Sequence, residues 1–216
     1  MKLFAVLLAL IQLVIIDSVH AAAIGMPENT ARLDSIHTAA IDMPKNTARF
    51  GYALGMARLS IDDPDGATNT VTELQPITFT YTNWLYGGYR YWSELYYQQT
   101  SLDASTTAIG QDIAQYGLRF SVQRNLPMGD NWAPWLGLGL DLSRSDYSKR
   151  HTVDSDGFLL ERFSDRDETG LGLVINLVTE WGLRDDWDLS VKLEQIIPLG
   201  NGLKATSLSI GVLYSY

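Results

Sequence analysis

Eight stretches of this chain alternate apolar residues with small or polar ones at a period of two, and outside the N-terminal region no run is apolar enough to cross a membrane as a helix. Successive side chains of a strand point to opposite sides of the pleat, so a period of two marks a strand with two unlike faces. The apolar sides are Phe50, Tyr52, Leu54 and Met56; Ile77, Phe79 and Tyr81; Tyr89, Tyr91, Leu95 and Tyr97; and Ala114, Tyr116, Leu118, Phe120 and Val122. They continue with Leu136, Leu138, Leu140 and Leu142; Leu171, Leu173, Ile175 and Leu177; Leu189, Val191, Leu193 and Ile197; and Leu208, Ile210, Val212, Tyr214 and Tyr216. An even number of such segments, each long enough to cross a bilayer at a tilt, predicts an all-β fold, an eight-stranded antiparallel up-and-down transmembrane β-barrel.

Alternation alone does not say which face is inside. A water-soluble barrel would pack its apolar side inward and show lysine and glutamate to solvent. Here the polar side is mostly glycine, alanine, serine and threonine, which suits a narrow lumen. The apolar side carries almost no charge, and one Lys or Arg there at mid-membrane would cost about 2–4 kcal/mol. The expectation is therefore apolar side chains toward lipid and small or charged ones enclosed.

The first residues, MKLFAVLLALIQLVIIDSVHAAA, combine Lys2, an apolar run and a small-residue site, the pattern of a secretory signal peptide over 1–21. The run of about 14 apolar residues is shorter than the roughly 20 that a spanning helix needs. Residues 22–47 read as a periplasmic leader in which AAIGMPENTAR recurs seventeen residues later as AAIDMPKNTAR. Two copies are too few for a solenoid; a local duplication or a two-copy binding motif are the readings left. The barrel is expected over 48–216. A formal charge of −9 argues against nucleic acid, and with no cysteine, disulfides and thiolate-ligated metals are excluded.

If the chain enters the barrel from the periplasm, the turns on that side fall near 86–88, 125–131 and 184–186. Trp84, Trp132, Trp135, Trp181 and Trp187 flank them, which predicts an aromatic girdle at that rim. The inner face should carry Arg90, Glu94, Arg119, Glu180, Lys192 and Glu194. The lumen of an eight-stranded barrel is only wide enough for side chains to fill, so these charges must pair. A third-to-fourth strand hairpin centred near Thr106 and Thr107 would set Glu94 opposite Arg119.

On these residues the chain from about Phe50 resembles the small eight-stranded outer-membrane barrels of the outer-membrane protein A, X and opacity-protein kind. The last strand, with Leu208, Ile210, Val212, Tyr214 and a final aromatic Tyr216, resembles the family's terminal strand, although Phe is the usual last residue. The resemblance implies location in the outer membrane, contact with its lipid and lipopolysaccharide, and recognition of that strand by the barrel-assembly machinery.

Chemistry has few candidates. Barrel enzymes that modify lipid A imply a rim His with Ser and a carboxylate, whereas the only histidines after cleavage are His37 in the leader and His151 in Lys149-Arg150-His151-Thr152. The chain is therefore expected not to be an enzyme, and no cofactor or metal is called. Asp62, Asp63 and Asp65 form an acidic cluster in the first loop, where DPDG is chiefly a turn sequence, with calcium the alternative. The stretch from Arg144 to Glu168 reads as a long outer loop with an apolar group at Phe158, Leu159, Leu160 and Phe163, a contact surface for an extracellular ligand. Lys149 and Arg150 in it are candidates to bridge lipopolysaccharide phosphates. The leading expectation is a structural or adhesion-type barrel, with a narrow pore for small solutes or a lipid A-modifying enzyme as alternatives.

Overall fold

The computed structural model describes residues 48–216 apart from 86, 129–131 and 201–202, and all structural statements refer to those residues. The expected signal peptide and the duplicated leader, His37 included, lie outside them. Nine strands form: β1 (Ala48–Ile61), β2 (Asn69–Trp84), β3 (Tyr89–Leu102), β4 (Gly110–Asn125), β5 (Trp135–Val153), β6 (Leu159–Arg162), β7 (Arg166–Arg184), β8 (Trp187–Pro198) and β9 (Lys204–Ser215). Their hydrogen-bonded order is β4-β3-β2-β1-β9-β8-β7-β5, and a β4–β5 pairing closes the ring. All pairings are antiparallel, so eight strands make an up-and-down barrel while β6 hangs from the far end of β5 alone.

The first and last strands meet in the seam between β1 and β9, where Phe50 pairs with Tyr214 and Ser60 with Lys204. Leu208, Ile210, Val212, Tyr214 and Tyr216 all belong to the outward side of this seam, and the Phe50 and Tyr216 rings stack at 5.4 Å. Outward side chains are bare: Leu138 is 46% exposed and Ile210 57%, with Leu54, Met56, Phe120, Leu136 and Leu193 alike. No aqueous fold leaves a belt of this extent uncovered.

Four ladders carry a register shift, two of them in the long barrel strands at the β1–β2 and β4–β5 pairings. Between Ala53 and Gly55 the β1–β2 ladder slips opposite Gln75 and Thr78, at Pro76, which has no amide hydrogen to donate. The β2–β3 ladder begins only at Ile77–Tyr97, so the far halves of these strands pair with β1 and β4 but not with each other. The second slip is in β5, where Gly110 pairs with His151 but Asp112 with Ser148.

The region expected as a loop from Arg144 to Glu168 is largely strand. β5 runs on to Val153, β7 starts at Arg166, and Arg144 through Tyr147 pair with Thr169 through Arg166. The barrel wall thus continues past its apolar belt as a hairpin, with β6 folded back along β5.

Candidate functional site: the filled lumen and the far-end hairpin

The inward faces of the strands stack four kinds of layer along the lumen. Nearest the start of β1, Arg49 donates to Glu180 at 3.1 Å and to Asp188 at 2.8 Å, and Arg90 reaches the other Glu180 oxygen at 2.7 Å. The Arg90 guanidinium lies over Trp135 at 4.1 Å and over Trp92 at 4.9 Å, and its Nε donates to Gln123 at 2.6 Å. Trp92, Trp135, Val178 and Leu213 fill the section around it.

Above this comes a charged layer. Lys192 donates to Glu94 at 2.6 Å and to Glu194 at 3.1 Å; Arg119 donates to Glu194 at 2.8 Å and to Asp141 at 3.2 Å. Glu94 and Arg119 are register partners, with 3.9 Å between their charged groups. Tyr96 donates to Asp141 at 3.0 Å while Arg119 covers its ring at 3.7 Å, and the Trp92 indole donates to Glu94 at 2.8 Å. These groups are buried, and charges removed from water hold only because each has a partner. Glycines make the room. A Cβ on Gly117 would lie 2.7 Å from the Tyr96 hydroxyl, and one on Gly137 2.2 Å from Asn176 Oδ1.

Two apolar layers follow, Ala57, Leu59, Val174, Ile196 and Ala205, then Ile61, Ile113, Tyr147 and Leu203. At the far end a polar clasp closes the mouth. Arg150 Nη2 donates to Asp63 at 2.8 Å and to Asp65 at 2.7 Å, and Gln111 donates to Asp63 at 3.1 Å. Burial would raise the Asp63 pKa, but the Asp65 amide, the Arg150 guanidinium and Gln111 together hold it below the ordinary carboxylate value. Arg150 points inward because Lys149 adopts φ 56°, a left-handed conformation rare for a residue with a side chain. That bulge moves the inward side of β5 from odd numbers to even ones.

Three expectations change. Trp84 and Trp135 are not on a lipid-side girdle. Trp135 is 4% exposed and Trp84 packs edge-on against it at 4.8 Å. Parity is the cause, since Trp135 shares a side with Gly137 and Asp141, and Trp84 with Thr80 and Thr82. Trp132, Trp181 and Trp187 are exposed, and the Trp187 ring meets Tyr214 at 5.0 Å. Arg150 is buried in the clasp and so turns away from the headgroup region, while Lys149 is exposed and donates to Asp112 at 2.7 Å. Asp63 and Asp65 are occupied by Arg150 rather than open to calcium, and among the described residues no three His, Asp or Glu side chains group as metal ligands. His151 turns its Nδ1 to the Lys149 carbonyl at 2.7 Å.

Beyond the clasp the β5–β6 hairpin ends in a greasy tip. Phe158 is 72% exposed, Leu159 52% and Leu160 65%. Asp154 shapes the turn, accepting from the Asp156 amide at 3.0 Å and the Phe158 amide at 2.8 Å. A cleft of ≈ 620 Å³ lies behind the tip, between Arg150, His151, Leu159 and Phe163.

The closed eight-stranded ring has solved counterparts. Neisserial surface protein A aligns with a TM-score of 0.53 at 14% identity, over 77% of this chain and 97% of that one. The outer membrane protein OprG from Pseudomonas aeruginosa aligns at 0.52 and 15% identity, over 79% and 97%. This is the fold of an outer-membrane β-barrel. Ail, the attachment invasion locus protein of Yersinia pestis, aligns over 79% of this chain and 99% of its own at 9% identity and a TM-score of 0.48. No family model matches the sequence, and no curated protein does.

Proposed function

We propose that this protein is an exported, integral outer-membrane barrel of the adhesion type, a non-enzymatic scaffold that holds the β5–β6 hairpin out from the envelope. The observation that carries this is the tip, where Phe158, Leu159 and Leu160 stand in water on a strand-built stalk. A hairpin continuous with the barrel wall loses little order on binding, and apolar side chains already ordered in water favour a partner that covers them. β6 also keeps one edge unpaired, which suits an extended polypeptide added as a further strand. In this reading the last strand is the feature that the barrel-assembly machinery takes up.

The filled lumen supports a scaffold over a conduit. Paired charges, two apolar layers and the Arg150 clasp lie in series along the axis. The direct test changes Phe158, Leu159 and Leu160 together to Ser in cells displaying the full chain. Attachment to a cultured epithelial monolayer should fall about tenfold or more, since a few central apolar anchors carry most binding energy. Attachment at the unaltered level, with equal surface display, refutes the role.

A further inference from the structure

The register of the β5–β6 hairpin builds a small face with two unlike rows. His151 pairs with Arg162 and Val153 with Leu159. Paired residues of an antiparallel ladder share a side of the pleat, and residues two apart on one strand return to that side. One row is therefore imidazole and guanidinium, the other purely aliphatic, and about 7 Å of strand separates them. The register shift leaves Leu160 unpaired, which brings Leu159 back to the side of Arg162, while Thr152 and Glu161 pair between the rows on the opposite side. The cleft of ≈ 620 Å³ behind the tip follows this parity: His151, Val153, Leu159 and Arg162 line it, and Thr152 and Glu161 do not.

Charge in the cleft is unbalanced. Lys149, Arg150 and Arg162 line it against the single carboxylate of Asp165, whereas the cleft of ≈ 580 Å³ at the barrel mouth sets Arg166 and Lys204 against Asp62 and Glu168. Two of the three cations are committed, Arg150 to Asp63 and Asp65 and Lys149 to Asp112. Asp165 accepts from the Lys149 amide at 3.2 Å. Arg162 is exposed and has no acid within 4.0 Å among the described residues. Arg58, Arg124, Arg184 and Lys204 are exposed and free of acids in the same way, so exposure alone does not distinguish it. What does is its place: of these five, Arg162 is the one in a cleft with a surplus of positive charge.

The two rows set the ligand's chemistry. A lone guanidinium presents a planar fork that matches one carboxylate. His151 turns its Nδ1 to the Lys149 carbonyl, which leaves Nε2 as an acceptor for a hydroxyl. The aliphatic row suits the C–H face of a ring, and 7 Å of strand is about the span from a pyranose carboxylate to the far C–H edge of the same ring. A volume of ≈ 620 Å³ is in the range of small-ligand sites. An acidic peptide fits this face less well, because the ladder between the rows pairs β5 with β6 and offers a peptide backbone no free edge here.

We propose that the cleft on the β5–β6 hairpin binds a saccharide bearing a single ring carboxylate. The carboxylate pairs with Arg162, a ring hydroxyl donates to His151, and the C–H face of the ring lies on Val153 and Leu159. The proposal rests on the reading of this hairpin as the attachment surface and gives that surface a ligand class.

The test uses the full-length protein refolded in lipid nanodiscs and saturation-transfer NMR, with methyl glucuronide as the probe and methyl glucoside, which lacks only the carboxylate, beside it. The glucuronide should take up saturation most strongly at the ring protons remote from its carboxylate. The glucoside should bind about tenfold more weakly, the loss of roughly one charge-assisted contact. Arg162→Gln should lower glucuronide binding by the same factor and so abolish the difference between the two sugars. Arg184→Gln, which removes an exposed cation outside the cleft, should leave it unchanged, and heat-shifted gel mobility checks that each variant is folded. Four results overturn the proposal: no saturation of the glucuronide, equal binding of the glucoside, wild-type binding by Arg162→Gln, or equally tight binding of a triglutamate peptide, which would make the cleft a reader of acidic polypeptide. Failure of the sugar assay while the tip variant still lowers attachment removes the ligand class alone. Sugar binding that persists while attachment ignores the tip removes the adhesive reading and leaves the site.

Discussion

Lys192 bridges Glu94 and Glu194, and Arg119 bridges Glu194 and Asp141, so two cations serve three carboxylates and the lumen's central layer has no spare cation. Removing one partner strands a buried charge, which costs more than the pair contributes. Lys192→Met should therefore destabilise the barrel by about 3–5 kcal/mol, read as a lower urea midpoint of the protein refolded in lipid vesicles; an unchanged midpoint contradicts the network. Gly117 has a steric role, because a Cβ there would meet the Leu142 carbonyl oxygen at 2.6 Å and Tyr96 at 2.7 Å. Gly117→Ala is expected to cost about 1–3 kcal/mol by overpacking, in the same assay. At the mouth, Asp63 has a lowered pKa, so its contribution is present above the ordinary carboxylate value and is lost as pH falls through its own depressed one. Protease sensitivity of the 62–68 connection should stay low from neutral pH to about pH 4 and rise below it. Arg150→Ala should make that connection sensitive already at neutral pH.

At the scale of elements, strands were legible because each presents one face to a uniform environment, and a period of two survives wherever that holds. The lumen charges, Arg90 through Glu194, follow from the same parity, and so does the inward placing of Trp84 and Trp135. Their nearness to a turn suggested a girdle, but parity along the strand decides the side and proximity does not. Three features had no such signal. β6 pairs only with the far end of β5 and has four exposed residues, so no buried face imprints a pattern on it. The Lys149 bulge depends on a local backbone conformation, and it reversed the side on which Arg150 falls. The incomplete β2–β3 ladder was equally hidden, since Pro76 marks an irregularity without saying which neighbour is lost. Amide hydrogens between Asn69 and Gln75 that face β3 should exchange faster than those of β1 opposite them. Equal protection on both strands refutes the open ladder.

For the whole molecule, the same alternation that builds the wall also fills it. Inward residues close the axis by ion pairs and apolar layers, and outward ones form a belt that only hydrocarbon satisfies. Planar bilayers containing the refolded protein should show no step conductance, and steady open channels would contradict the filled lumen. Everything else depends on which face meets lipid. Because the chain has no cysteine, single cysteines can be placed at will and spin-labelled without background. Labels at Leu138, Leu173 and Ile210 should collide with oxygen dissolved in the bilayer and be shielded from a water-soluble nickel chelate, while labels at Ser121 and Ser209 should be shielded from both. Labels at Leu138, Leu173 and Ile210 that meet the chelate, or that are shielded from oxygen, would contradict the account.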